Sequence, residues 1–166
     1  MLMKKYLALF AIAVLGVTGF AFAKSSSVAG VDTTEAIDAK DSKVKKMNKE
    51  MFISDVFDYQ NSSEWKFKGD KPIIIDLYAD WCPPCRLIAP ILSDLAEEYD
   101  GKITIYKVDV DKEKELAALF NVSSIPLLVF IPMDGTPQLM PGAADKATYK
   151  KAIDEFLLKN KSASTK

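Results

Sequence analysis

Residues 73–99 read IIIDLYADWCPPCRLIAPILSDLAEEY, and the spacing of the apolar residues changes halfway along this segment. Residues 73–79 form an apolar run interrupted only by an aspartate, which is typical of a strand buried on both faces. In residues 85–99 the apolar side chains recur at helical spacing, at Leu87, Ile88, Ile91, Leu92, Leu95 and Tyr99. A buried strand therefore leads into an amphipathic helix, and the cysteines lie at the junction.

The rest of the chain continues this alternation of strands and helices. The other predicted elements are a helix capped by Asn48 and ending at Tyr59, a strand at 103–110, a helix at 111–120 capped by Asp111, strands at 127–131 and 137–140, and a closing helix at 145–160 with Tyr149, Ile153, Phe156 and Leu157 inward. Two strands joined by a helix favour parallel pairing, whereas the turn at Asp134 and Gly135 makes the last pair antiparallel. We therefore predict an α/β fold of one domain, with a mixed central β-sheet flanked by helices.

The amino-terminal residues have the form of a secretory signal peptide. Lys4 and Lys5 precede an apolar run at 7–20, and residues 21–23 read AFA, which fits the small-residue site of signal peptidase. The alternative is an amino-terminal membrane anchor that is not cleaved, since the apolar run is close to the roughly 17 residues that can span a bilayer. We expect cleavage after Ala23 and a periplasmic or otherwise exported protein in an oxidising space, with no stable membrane insertion.

The expected organisation follows from these segments. Residues 1–23 are the signal peptide, and residues 24–47 are a polar spacer or an edge strand near 44–47. Residues 48–160 form the folded domain, and residues 161–166 form a polar tail.

The composition excludes several kinds of chemistry. The chain contains no histidine, so it lacks Cys/His and Ser/His catalytic pairs and histidine metal ligands. Its two cysteines are too few for a structural zinc site, which takes about four ligands. A formal net charge of −1 provides no general attraction to nucleic acid. We expect neither a bound metal nor a nucleic-acid partner.

Cys82 and Cys85 are better suited to redox chemistry than to stabilising the fold. A disulfide that closes so short a loop removes little entropy from the unfolded chain. At the start of a helix, however, free N–H groups and the helix dipole stabilise a thiolate. Cys82 is thus predicted to be the attacking nucleophile, and Cys85, one turn further on, the resolving thiol.

The sequence WCPPC after IIIDLYAD, followed later by SIP and then by PGA, resembles the thioredoxin family over roughly residues 52–159. The resemblance implies the thioredoxin fold and a thiol-disulfide oxidoreductase that needs no cofactor beyond its own Cys82–Cys85 disulfide. It also implies that Trp81 packs beside the disulfide and forms part of the docking surface for substrates.

The resemblance also places Asp76 at the family's buried aspartate and Lys107 at the lysine that pairs with it. A carboxyl group inside the buried strand would have a raised pKa, so it could accept the proton that Cys85 loses before attacking. The alternative is that Asp76 and Lys107 form a purely structural pair.

Pro126 matches the family's cis-proline, which faces the disulfide and follows Ile125. The backbone beside it could bind an extended substrate as an added strand. Gly142 and Ala143 match the small residues that leave room for that substrate. The two loops that carry Ile125 and Pro126, and Gly142 and Ala143, are the predicted substrate-binding loops.

Pro83 and Pro84 differ from the Gly-Pro that most thioredoxins have between their cysteines. Proline is tolerated in the first helical turn but removes N–H groups that could stabilise the Cys82 thiolate, leaving the Cys85 N–H as the main backbone donor. A less stabilised thiolate favours a reductase or isomerase, whereas strain in the loop would favour an oxidase.

The expected partners are disulfide-containing exported proteins and an external, membrane-bound electron donor, with the protein itself a monomer. Two further alternatives are a dedicated reductase for cytochrome c maturation and a non-catalytic binding module with the same fold.

Overall fold

The computed structural model describes residues 42–159. The predicted signal peptide, most of the spacer and the polar tail lie outside these residues. The described elements are β1 (Lys45–Lys46), α1 (Lys49–Asp55), β2 (Ile73–Tyr78), α2 (Pro83–Glu98), β3 (Thr104–Asp109), α3 (Lys114–Leu119), β4 (Leu127–Ile131), β5 (Gln138–Pro141), α4 (Lys146–Ala152) and a π-helical continuation, Ile153–Leu158.

The five strands form one sheet in the order β1-β3-β2-β4-β5. β1 and β2 run parallel to β3, whereas β4 is antiparallel to both of its neighbours, β2 and β5. The mixed sheet with flanking helices confirms the predicted thioredoxin fold. β1 lies in the segment that the sequence left open between a spacer and an edge strand, and it pairs with β3 at the sheet edge.

β2 is buried on both faces, because its side chains alternate between two apolar clusters. Ile74 packs with the inward side of α2 and with α4, whereas Ile75 and Leu77 pack with Phe52 of α1 and with α3. Asp76 follows Ile74 at the next position of the same face, so its carboxyl group lies on the side of the sheet that α2 covers.

Three predicted elements differ from the structure. α1 ends at Asp55 instead of Tyr59, because the chain turns inward at Val56 and the Phe57 N–H bonds to the Phe52 carbonyl group. α3 begins at Lys114, and its N-cap position is Glu113 instead of Asp111. In α2, Leu87 belongs to the apolar helical pattern, yet it is 71% exposed.

The closing helix forms as predicted but changes character along its length. α4 begins after Asp145, whose side chain accepts a hydrogen bond from the Thr148 N–H, and it passes into the π-helical residues at Ile153. Tyr149, Ile153 and Leu157 are buried, and Phe156 is half-buried. None of the helices in residues 42–159 combines the length and the hydrophobicity that a membrane-spanning segment requires.

Candidate redox site

The two cysteines form a disulfide at the point where β2 leads into α2. Their Cα atoms are 5.3 Å apart, and both residues are almost fully buried. Cys82 is the N-cap of α2, and its Sγ accepts a hydrogen bond of 3.2 Å from the Cys85 N–H. Pro83 and Pro84 occupy the first helical positions and donate nothing, so Cys85 supplies the backbone donor, as the sequence predicts.

Asp76 is a buried acid without a hydrogen-bond partner for its Oδ1. Only 5% of the residue is exposed, and this burial raises the pKa of Asp76 to about 7, although the positive charge of Lys107 acts to lower it. A carboxyl group with this pKa exchanges its proton near neutral pH. Asp76 and Cys85 are brought to the same side of the sheet, by β2 and α2 respectively.

Lys107 lies opposite Asp76 in the register of β2 and β3. No hydrogen bond or ion pair joins the two side chains in the part of the chain that the structure describes. The Lys107 ammonium group instead lies 5.4 Å from the centre of the Tyr78 ring, which is a cation–π contact. The lysine therefore acts on the acid through its charge and not through a direct contact.

Trp81 directly precedes Cys82 in the chain, and 64% of its surface is exposed. Its indole Nε1–H donates a 2.7 Å hydrogen bond to Oδ2 of Asp111, in the turn before α3. Asp111 therefore orients the indole instead of capping α3. No local pattern could predict this contact, because the residues are 30 positions apart. Arg86 Nη1 donates a 2.9 Å hydrogen bond to the Asp80 carbonyl group, so it links the first turn of α2 to the segment before the cysteines.

The loop before β4 brings Ile125 against the apolar cluster of Ala79, Cys82 and Cys85. The peptide bond from Ile125 to Pro126 is cis. The Pro126 carbonyl group accepts a 2.8 Å hydrogen bond from the Gly142 N–H, so the two predicted substrate loops are directly joined.

Gly142 has a φ of +83°, a conformation that favours glycine, and a Cβ built there would meet no atom within 4 Å. The neighbouring Ala143 is exposed. Small residues therefore leave open space on this loop, next to the proline. In residues 42–159, no group of three or more histidine, cysteine or acidic residues is placed to hold a metal ion.

Comparison with known proteins identifies the family to which the chain is similar. The sequence model of the thioredoxin family matches residues 43–155. A thioredoxin of Borreliella burgdorferi is 42% identical over 110 residues, which cover 66% of this chain and 94% of that protein. A chloroplastic thioredoxin M-type of Spinacia oleracea is 37% identical over 100 residues, covering 58% of this chain and 55% of its own length. Thioredoxin-T of Drosophila melanogaster is 44% identical over 73 residues, covering 44% and 46% respectively.

The chain belongs to the thioredoxin family. The predicted family is thereby confirmed, and with it the prediction of a thiol-disulfide oxidoreductase with a redox-active disulfide of the C-x-x-C type. The chain spans most of the bacterial relative but only about half of the spinach protein.

Proposed function

We propose that this protein is an exported oxidoreductase that reduces, or isomerises, the disulfides of other exported proteins. The observation that carries the proposal is the Cys82–Cys85 disulfide at the first turn of α2, with Ile125 of the cis-proline loop packed against it. The disulfide is the oxidised state that remains after one substrate has been reduced.

In the reduced protein, the Cys82 thiolate attacks one sulfur of a substrate disulfide. A mixed disulfide forms, and the other substrate sulfur leaves as a thiolate. Cys85 then loses its proton and attacks Sγ of Cys82, which re-forms the internal disulfide and releases the second substrate sulfur. Two electrons pass to the substrate, and an external dithiol donor must restore them to Cys82 and Cys85.

Asp76 is the proposed acceptor for the Cys85 proton. Its pKa of about 7 supports this role, because a base near the working pH accepts and returns protons readily. The absence of a direct Lys107 contact, among the described residues, favours this role over a purely structural ion pair, which needs close geometry to repay its burial.

Substrate docking is proposed at the two joined loops and the exposed indole. An extended substrate segment would pair with the backbone at Ile125 and Pro126, beside the open space at Gly142 and Ala143. The exposed Trp81 indole, held by Asp111, would add an aromatic contact for the substrate. Backbone pairing tolerates many side chains, so many substrate proteins could use one site.

The direction of the reaction is proposed from the donors at the first turn of α2. Cys82 Sγ has the Cys85 N–H as its backbone donor, and the two prolines add none. Weak stabilisation of the reduced thiolate favours a reductase or isomerase over an oxidase. We further propose that residues 1–23 direct export, that the electron donor is membrane-bound, and that the protein acts as a monomer without a metal or cofactor.

Trapping and turnover together test the proposal. In cells that make the exported full chain, Cys85→Ser should accumulate mixed disulfides between Cys82 and substrate proteins, whereas Cys82→Ser should accumulate none. The wild type should also reduce insulin with dithiothreitol as the electron source. If Cys85→Ser traps no partner and the wild type does not reduce insulin, the reductase proposal is wrong.

A redox titration against glutathione separates reductase from oxidase. A Cys82–Cys85 couple more reducing than glutathione supports a reductase, and a couple near that of a disulfide isomerase, about −180 mV, supports an isomerase. A couple near that of a strong oxidase, about −120 mV, overturns the proposed direction. Trapped partners restricted to cytochrome c maturation would narrow the role to the dedicated reductase.

A further inference from the structure

Tyr149 is a fully buried tyrosine of α4 whose hydroxyl group bonds to the loop beside the redox site. Its ring packs in the apolar cluster that includes Ile74 and Leu128. Its hydroxyl oxygen accepts a 2.8 Å hydrogen bond from the Ala144 N–H. A phenylalanine would fill the same core position equally well, so packing alone does not require the hydroxyl group.

The bonded amide lies directly after Gly142 and Ala143, the small residues of the proposed substrate loop. The Gly142 N–H is bonded to the Pro126 carbonyl group, and the Ala144 N–H is bonded to Tyr149. Ala143 is therefore fixed on both sides, by one bond to the cis-proline loop and one bond to α4. Removing the second bond would release the carboxyl-terminal side of Ala143 from α4.

The environment of the phenol keeps it in the neutral form that can serve this role. Burial raises the pKa of Tyr149, the bond from Ala144 lowers it, and the charges of Asp76 and Asp145 raise it again. An amide N–H near the protein interior that loses its acceptor is costly, so the loop would move to find another partner.

We propose that Tyr149 is a positioning residue for substrate docking, whose hydroxyl group holds Gly142 and Ala143 beside Pro126. The inference rests on the proposed reduction of protein disulfides and adds a residue that governs how protein substrates bind. Tyr149 takes no part in thiol exchange. Its effect therefore falls on KM for a protein substrate, and the reactivity of the cysteines themselves does not depend on it.

The test compares Tyr149→Phe with Tyr99→Phe in the full mature chain. Tyr99 is a matched control, because it is buried in the same cluster and its hydroxyl group donates a 2.9 Å hydrogen bond to Asp154, away from the loop. Tyr149→Phe should raise KM for insulin by about tenfold, the usual effect of one lost hydrogen bond, with kcat unchanged. The rate with a small aromatic disulfide and the redox potential should stay at the wild-type values.

Tyr99→Phe should lower stability to a similar extent but leave KM for insulin unchanged. Wild-type KM in Tyr149→Phe, or equal increases of KM in both variants, would overturn the proposal. An altered redox potential in Tyr149→Phe would also overturn it, because the hydroxyl group would then act on the cysteines.

Amide hydrogen exchange gives a readout that does not depend on activity. The Ala144 amide should exchange faster in Tyr149→Phe than in the wild type or in Tyr99→Phe, and equal rates in all three proteins would overturn the proposal. If the wild type fails to reduce insulin, the proposed function is wrong, but this result does not decide the role of Tyr149. Exchange at Ala144 would still decide whether the hydroxyl group holds the loop.

Discussion

Replacement of Asp76 by asparagine tests the buried carboxyl group through the pH dependence of folding. Burial raises the pKa of Asp76 from 3.8 to about 7, against the opposing charge of Lys107. The folded protein therefore binds this proton more tightly than the unfolded chain does. The resulting stabilisation is fully present below the unfolded pKa of 3.8 and is lost as the pH rises through about 7.

The magnitude follows from the size of the pKa change. At about 1.4 kcal/mol per unit of pKa, the whole change corresponds to about 4 kcal/mol. Between pH 5 and pH 8, the wild type should lose about 3 kcal/mol of unfolding free energy through Asp76. Asparagine has nearly the same shape and does not titrate. Burying the asparagine amide changes the unfolding free energy by the same amount at both pH values. This cost therefore cancels when the unfolding free energies at pH 5 and pH 8 are compared.

Urea unfolding of the oxidised protein at pH 5 and pH 8 measures this difference. The unfolding free energy of Asp76→Asn, relative to that of the wild type, should be about 3 kcal/mol higher at pH 8 than at pH 5. If Asp76→Asn is more stable than the wild type at pH 8 only, the ionised Asp76 carboxylate destabilises the folded protein, as its raised pKa implies. Equal pH dependence in the wild type and Asp76→Asn would refute the reasoning.

Asp109→Asn is the matched control on the neighbouring strand. Burial acts to raise the pKa of Asp109, but the hydrogen bonds and charge of Lys112, with the Asp111 amide, outweigh it and leave the pKa lowered. Stability from a lowered pKa is present above the unfolded value and is lost only as the pH falls below it. The control should therefore change the stability by the same amount at pH 5 and pH 8.

Three further predictions concern the loops and the first helix. Gly142→Ala and Gly101→Ala each place a side chain in open space at positive φ, so both should destabilise by about 1 kcal/mol in urea unfolding, but only Gly142→Ala should raise KM for insulin. Asp111→Ala removes the acceptor of the Trp81 indole, so the indole N–H should exchange faster in NMR spectra and KM for insulin should rise by about twofold to threefold. Asn48→Ala removes the cap of α1 and should lower the unfolding free energy by about 1 kcal/mol without changing KM.

The sequence predicts the centre of the fold well because burial there produces a regular pattern. β2 is apolar on both faces, and α2 has one inward face, so two different periods mark two different elements. The same periodicity cannot locate the end of α1. Val56 and Tyr59 face inward in the turn that follows α1, and they would also face inward in a longer helix. The apolar pattern is therefore the same for a helix that ends at Asp55 and for one that ends at Tyr59.

Side-chain contacts between distant segments account for the features of the site that sequence reasoning missed. A carboxylate before a helix predicts a cap, but Asp111 accepts the bond from Trp81 instead, and only the folded chain brings these residues together. Tyr149 likewise fits the inward pattern of the closing helix whether or not its hydroxyl group has a partner. The bond to Ala144 depends on how the preceding loop turns back over the core.

The arrangement around Asp76 connects stability with the proposed chemistry. A lysine in direct contact would stabilise the ionised acid and lower its pKa, so the group would no longer exchange a proton near neutrality. Lys107 is opposite Asp76 in register, but its ammonium group is placed over the Tyr78 ring, and Asp76 Oδ1 is left without a hydrogen-bond partner. The fold thus keeps an acid that destabilises it above pH 7. The same burial keeps the pKa of Asp76 near neutrality, where the proposed base for Cys85 needs it.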